Sequence, residues 1–232
     1  MDNGFENSYD SSTDVDIVFC LDSSERMSHL INIVIENALG FYADLDKRAE
    51  EKNKQIRNVR VCLIVYRDYQ IDREHAMMIL PFLSLPEKND VFRTSVRSLV
   101  AQGGGKSAND GLEALNYAMI QEWNNKSLRK RHIIVMCSDK DANDMGHGSQ
   151  AYNYPQNLAA DFKKLSDLWG SNTSPGIMDE EAKRLLLFVP DTDNWNRLYR
   201  NWNKTFWFEA GLGKGFVDVD YETMLDSIIS VV

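Results

Sequence analysis

Cysteine is scarce in this sequence. The three present, Cys20, Cys62 and Cys137, each sit inside an apolar run, "IVFCL", "VCLIV" and "IIVMCS". An odd count without zinc-ligand spacing argues against a disulfide framework and a thiolate metal site, so each thiol reads as a small buried hydrophobe in a reducing compartment. Basic charge is also short: 26 Lys and Arg stand against 35 Asp and Glu, a net charge of −9. Nucleic acid and anionic membrane call for a basic footprint and are disfavoured as main partners. The longest apolar runs fall well below the roughly 20 residues that span a bilayer. The opening segment "MDNGFENSYDSSTD" is acidic and polar, the opposite of a signal peptide. A soluble, cytoplasmic protein is expected. The four histidines, His29, His75, His132 and His147, show no spacing that suggests a ligand pair or a catalytic base.

What is abundant is apolar residue content, 43% of 232 residues, enough for a sizeable core. The expected organisation is a loose tail over 1–13 and a single domain over 14–232. "VDIVFCL" (15–21) is a continuous apolar run, as in a strand covered on both faces. Leu30, Ile31, Val34, Ile35, Ala38, Leu39, Tyr42 and Leu45 recur at three and four, which predicts one helix from Met27 to about Glu51. Strands are expected over 59–69 and 75–85, paired antiparallel because the link between them is short, with Pro81 marking the second as an edge. Helices follow over 87–102 and 108–123, a strand over 131–139 and a helix near 155–169. A strand over 184–190, a helix over 193–202, a strand over 204–210 and a helix over 220–232 complete the chain. Alternating apolar strands and helices, without repeat or linker, predict a doubly wound, Rossmann-like three-layer α/β/α fold. Its six-stranded sheet should be mostly parallel, with one antiparallel edge strand.

In such sheets the site lies beyond the carboxyl ends of the strands, at the topological switch point. Asp22, Asp68 and Asp139 each come at or just past the carboxyl end of an expected strand's apolar run. The entry "DSSERM" (22–27) follows the first strand, "YRDY" the second, "GGGKS" precedes a helix, and "VMCSD" closes the fourth. Together these resemble the von Willebrand factor A domain superfamily over about residues 14 to 232. The resemblance implies a metal-ion-dependent adhesion site with the pattern D-x-S-x-S, a Thr on a later loop and an Asp after the fourth strand. Such oxygen donors suit a hard divalent cation, and a partner's carboxylate often completes the coordination.

Asp22 and Ser24 match the first two positions and Asp139 the last. The third position is Arg26 in place of Ser, and the Thr position falls on Lys106 or Ser107. With Gly111 as the alignment anchor, Lys106 is the better match, while Ser107 would keep a hydroxyl. A cation beside a divalent ion opposes it by roughly 4 kcal/mol per charge pair at 4 Å and an effective dielectric of 20. The expectation is that Arg26 and Lys106 neutralise Asp22 and Asp139, and that magnesium or another divalent cation binds weakly or not at all. Asp68 is expected beside the site as a charge partner of Arg26 or a supporting group, and Asp141 on a partner-facing rim.

Other signals are weaker. "GGGKS" lacks the first glycine of a phosphate loop, since residue 100 is Val100, so no nucleotide is expected. "GLGKG" (211–215) reads as a turn or an anion-holding loop. "NWNRLYRNWNKTFWF" reads as mostly core. No Ser-His-Asp or Cys-His pairing is visible. Two functional readings follow. One is a non-catalytic protein-binding module using the carboxyl-end loops. The resemblance extends to stand-alone bacterial members of the tellurite-resistance type, which act beside kinases and phosphatases in stress or defence. The other is a metal-assisted hydrolase or nucleotide-handling α/β enzyme.

Overall fold

The computed structural model describes residues 11–232. The tail expected over 1–13 falls mostly outside them; Thr13 already opens a strand. The main sheet is built from β1 (Thr13–Asp22), β2 (Ile56–Tyr66), β3 (Met77–Leu85), β4 (Lys130–Cys137), β5 (Lys183–Val189) and β6 (Thr205–Glu209). Its order is β6-β5-β4-β1-β2-β3, parallel throughout except for β3, which pairs antiparallel with β2 at the edge. The expected fold class holds, and so does the edge position of the Pro81 strand.

Side chains alternate across each strand, so one run of sequence feeds two cores. Ile17, Phe19 and Leu21 face one layer, with Val61, Leu63 and Val65 of β2. Helices α1 (Ser28–Asn37), α2 (Phe41–Glu51), α3 (Asn89–Arg97) and α7 (Tyr221–Val231) cover it. Val18, Cys20, Ile64 and Met136 face the other layer, covered by α4 (Gly111–Met119), α5 (Phe162–Trp169) and α6 (Asp193–Asn201). All three cysteines are buried free thiols, and desolvation pushes Cys62 up to about 12. Trp169, Trp195 and Trp202 are core residues of the second layer.

The single helix expected from Met27 to Glu51 is two. Residues 38–40 interrupt it, and Leu39, assigned to the apolar stripe, is exposed. Gly40 at the break explains this, since glycine costs about 1 kcal/mol relative to alanine in a helix interior. The restart at Phe41 turns Phe41, Leu45 and Ala49 onto the sheet. The chain winds from β1 through β2 to β3 on one side, then returns to β4 on the other side of β1. The switch point therefore lies between the carboxyl ends of β1 and β4, where Asp22 and Asp139 emerge.

Candidate functional site

Asp22 ends β1 with its carboxylate fully buried and saturated. Its Oδ1 accepts from the Ser24 N–H (2.8 Å), an Asx turn that starts the first loop. Its Oδ2 accepts from Asn109 Nδ2 (2.8 Å) and from Ser138 Oγ (2.8 Å). Asn109 Oδ1 accepts from the Gly105 N–H (2.7 Å), which fixes the amide with its NH2 toward Asp22. One carboxylate thus ties together three loops. Arg67, buried after β2, adds a fastening by donating to Ser23 Oγ (2.9 Å) and the Val100 carbonyl (2.9 Å).

Lys140 follows Asp139 and turns inward, only 5% exposed. Its ammonium donates to Ser24 Oγ (3.0 Å) and to the Gly105 carbonyl (2.7 Å). Trp195 Nε1 holds the Lys140 carbonyl (2.7 Å). The same Trp195 ring lies over Gly111, where an added Cβ would come within 2.5 Å of Cη2. Gly111→Ala is therefore expected to lose about 1–3 kcal/mol by overpacking. Urea unfolding would read this as a lower midpoint at unchanged slope, and an unchanged midpoint would show that Trp195 shifts freely.

Asp139 is held by the glycine-rich loop. Gly213 N–H donates to its carbonyl (2.7 Å) and Gly215 N–H to its Oδ2 (2.7 Å). Both glycines have φ of +67°, which lets successive backbone amides turn inward. The anion that "GLGKG" holds is thus the chain's own carboxylate. Burial pushes the Asp139 carboxyl above its ordinary range and the charge of Asp22 adds to this, against the Gly215 N–H, Lys140 and Arg26. Its Oδ1 is buried with no hydrogen-bond partner among the described residues.

A scan against family models matches residues 16–166 to the von Willebrand factor type A domain. The chain belongs to that family. In fold this vWA domain is similar to the pilus adhesin SpaC from Lactobacillus rhamnosus GG in two crystal structures. Identity is 13%, with TM-scores of 0.51 and 0.50. The match covers 94% of this chain but only 31% and 30% of those chains. The vWF domain of the type V pili tip protein Mfa5 from Porphyromonas gingivalis also matches, at TM-score 0.38 and 19% identity over 57% of this chain and 40% of that one. No curated protein sequence matches. No helix among the described residues is long and apolar enough to cross a membrane.

The vWA metal site can be compared residue by residue. Asp22, Ser24 and Asp139 come together at the switch point. Ser107 is exposed, and the later-loop side chain that reaches Asp22 is Asn109. Arg26 and Lys106 do not turn onto Asp22; both are exposed, and the cation buried against Ser24 is Lys140. The physical reason is steric: the Gly104–Gly105 backbone passes so close to Ser24 that a Cβ on Gly104 would lie 2.4 Å from the Ser24 Cβ, leaving one slender side chain to fill the gap. The donor set does not fit a divalent ion. The hydroxyl of Ser24 is a target of the Lys140 ammonium, and the family's Thr position falls on Lys106 or Ser107, both exposed.

Asp68 is spent elsewhere than on Arg26. Its Oδ1 caps the turn Tyr69–Asp72 by accepting from the Gln70 (2.8 Å) and Ile71 (3.2 Å) N–H groups, and its Oδ2 accepts from Asn143 Nδ2 (3.2 Å). Asp141 is likewise structural, its Oδ1 accepting from Thr192 Oγ1 (2.7 Å) at the start of α6. Asn143 Nδ2 also reaches Asp110 Oδ1 (2.7 Å), and one helical turn on lies Glu113, fully buried. Sequence reasoning passed over Lys140, Asn109, Asp110 and Glu113. A lone acid in the apolar run "GLEALNYAM" was the available signal for Glu113.

Proposed function

We propose that this vWA domain is a protein-binding module that presents its carboxyl-end loops to an acidic surface of a partner protein, without turnover of its own. The observation that carries this reading is an exposed cationic rim on a rigid base. Glu25 N–H bonds the Gly103 carbonyl (3.2 Å), and the Arg26 guanidinium lies against Gly213, joining the 22–26, 103–106 and 211–215 loops. Above this base stand Arg26, Lys106 and Leu212, all exposed. Arg26 and Lys106 form no ion pair among the described residues. In a chain of net charge −9, an unpaired cationic rim is a local exception and favours an acidic partner. The likeness in fold to a protein named as an adhesin agrees with a binding role. Three buried free thiols agree with a reducing compartment, where kinase or phosphatase components would be the partners.

The test is co-purification from the native host followed by mass spectrometry. Three proteins are compared: the wild type, Arg26→Glu with Lys106→Glu, and a control at the opposite end of the sheet, Lys126→Glu. A partner lost from the rim variant and retained by the control supports the reading. Identical partner sets from all three would refute it. So would phosphatase, esterase or nucleotidase turnover that Asp22→Ala abolishes.

A further inference from the structure

A lysine side chain that is 5% exposed is a costly thing to bury, because its ammonium must give up water. A solvated head at the end of a long stem is the usual arrangement. Lys140 does the opposite. Its ammonium donates to the Ser24 hydroxyl at 3.0 Å and to the Gly105 carbonyl at 2.7 Å. Lys140 forms no ion pair among the described residues, but the buried Asp139 beside it in sequence feels its charge. The backbone of Lys140 is fixed on both sides, its N–H donating to Ser138 Oγ (3.1 Å) and its carbonyl accepting from Trp195 Nε1 (2.7 Å). The Ser24 hydroxyl serves the Lys140 ammonium, and Asp22 is taken up by the Ser24 N–H, Asn109 and Ser138, while Asp139 Oδ2 accepts from Gly215 and its Oδ1 keeps no partner among the described residues.

We propose that the Lys140 ammonium is the resident cation of this site, standing where the family places a divalent ion, so that the loop cluster assembles without metal. It links the first loop to the 103–106 loop, as a metal would through shared ligands. A tethered cation arrives with folding and cannot be chelated away. The consequence for binding rests on the protein-binding reading: recognition at the rim is insensitive to divalent cations. The assignment of Lys140 itself does not rest on that reading, and its test needs no partner.

Purified full-length chain is titrated with manganese, and the free aquo-manganese signal is followed by electron paramagnetic resonance. Thermal unfolding is recorded in EDTA and in millimolar magnesium or manganese. The wild type is expected to leave the manganese signal undiminished and to melt at one temperature in all three buffers. Lys140→Ala, which leaves Ser24 Oγ and the Gly105 carbonyl facing a vacated space, is expected to melt several degrees lower in EDTA. Manganese should restore a measurable part of that loss. Arg26→Ser with Lys106→Thr is expected to behave as the wild type toward metal. Manganese uptake by the wild type, metal indifference of a folded Lys140→Ala, or metal uptake gained by the Arg26/Lys106 variant would each overturn the assignment. If Lys140→Ala does not fold, the wild type and the double variant still decide it.

Discussion

Asp22→Ala is expected to lower stability by about 3–5 kcal/mol, because three buried donors lose their acceptor at once. The Ser24 N–H, Asn109 Nδ2 and Ser138 Oγ all end on this one carboxylate. A buried donor left unsatisfied costs about 1–3 kcal/mol. The Ser138 hydroxyl can rotate to another acceptor, but the Ser24 amide and the Asn109 NH2 cannot. Against a total of about 5–15 kcal/mol for a domain, this is a large fraction. Asp22→Asn should be milder, since its Oδ1 can still accept from Ser24, yet it opposes its own NH2 to that of Asn109. Urea unfolding of the three proteins checks the order, with the slope expected to stay constant and the midpoint to fall. Wild-type stability in Asp22→Ala would mean that the loops are held by Lys140, Arg67 and the glycine loop without it.

That ordering also explains what the sequence could and could not convey. The sheet was legible because its apolar strands are continuous and its helices amphipathic, and because the short link from β2 to β3 forces an antiparallel pair. Asp22, Ser24 and Asp139 were legible as a set because all follow strand ends in one sense. Lys140 was not. It sits in "DKD", where adjacent opposite charges read as a solvated loop, and no periodicity beyond the end of β4 says which way a side chain turns. Arg26 and Lys106 took its place in the reading because they stand at the family's ligand positions. The inward-turned Lys140 meets Ser24, 116 residues away in sequence, and its carbonyl is held by Trp195, 55 residues away. Asn109 was missed for a similar reason. The Gly104–Gly105 approach to Ser24 fixes which residue of the loop reaches Asp22, and that approach is a tertiary fact. The helix break at Gly40, by contrast, was written in the sequence as a glycine inside an apolar stripe.

A second large effect is expected from pH, through the buried acid pair at the start of α4, Asp110 just before it and Glu113 within it. Glu113 is fully buried; its Oε1 accepts from the Gly146 N–H (2.9 Å) and the Tyr154 hydroxyl (3.0 Å), and its Oε2 has no hydrogen-bond partner among the described residues. Burial pushes its carboxyl from 4.5 up to about 8, the charge of Asp110 adding to this while the Gly146 and Tyr154 donors oppose it. Asp110 moves the same way, from 3.8 to about 6, again by burial first, against its bonds from Asn143 and the Tyr69 N–H. A carboxyl raised in the folded state binds its proton more tightly there than in the unfolded chain. Its stabilising contribution is therefore complete below the unfolded value and is lost as pH rises through the folded one. For Glu113 the window runs from 4.5 to about 8, and the full loss across it is on the order of 5 kcal/mol. His132 works against this below 6.5, because burial lowers its affinity for the proton and stability from that source grows with pH. Comparing the wild type with Glu113→Gln removes the His132 contribution, since both carry it. Glutamine keeps the Oε1 acceptor for Gly146 and Tyr154 but cannot ionise. Between pH 5 and pH 8.5 the wild type should lose about 4 kcal/mol relative to the variant in urea unfolding. The loss has a place in the molecule: an ionised Glu113 draws water under the loop that carries Gly146 and Tyr154, so hydrogen exchange at the Gly146 amide should quicken in the wild type beyond its intrinsic rise with pH. Parallel stability profiles for the two proteins would show that Glu113 is already ionised in the folded state at pH 5, and that its burial is relieved by solvent.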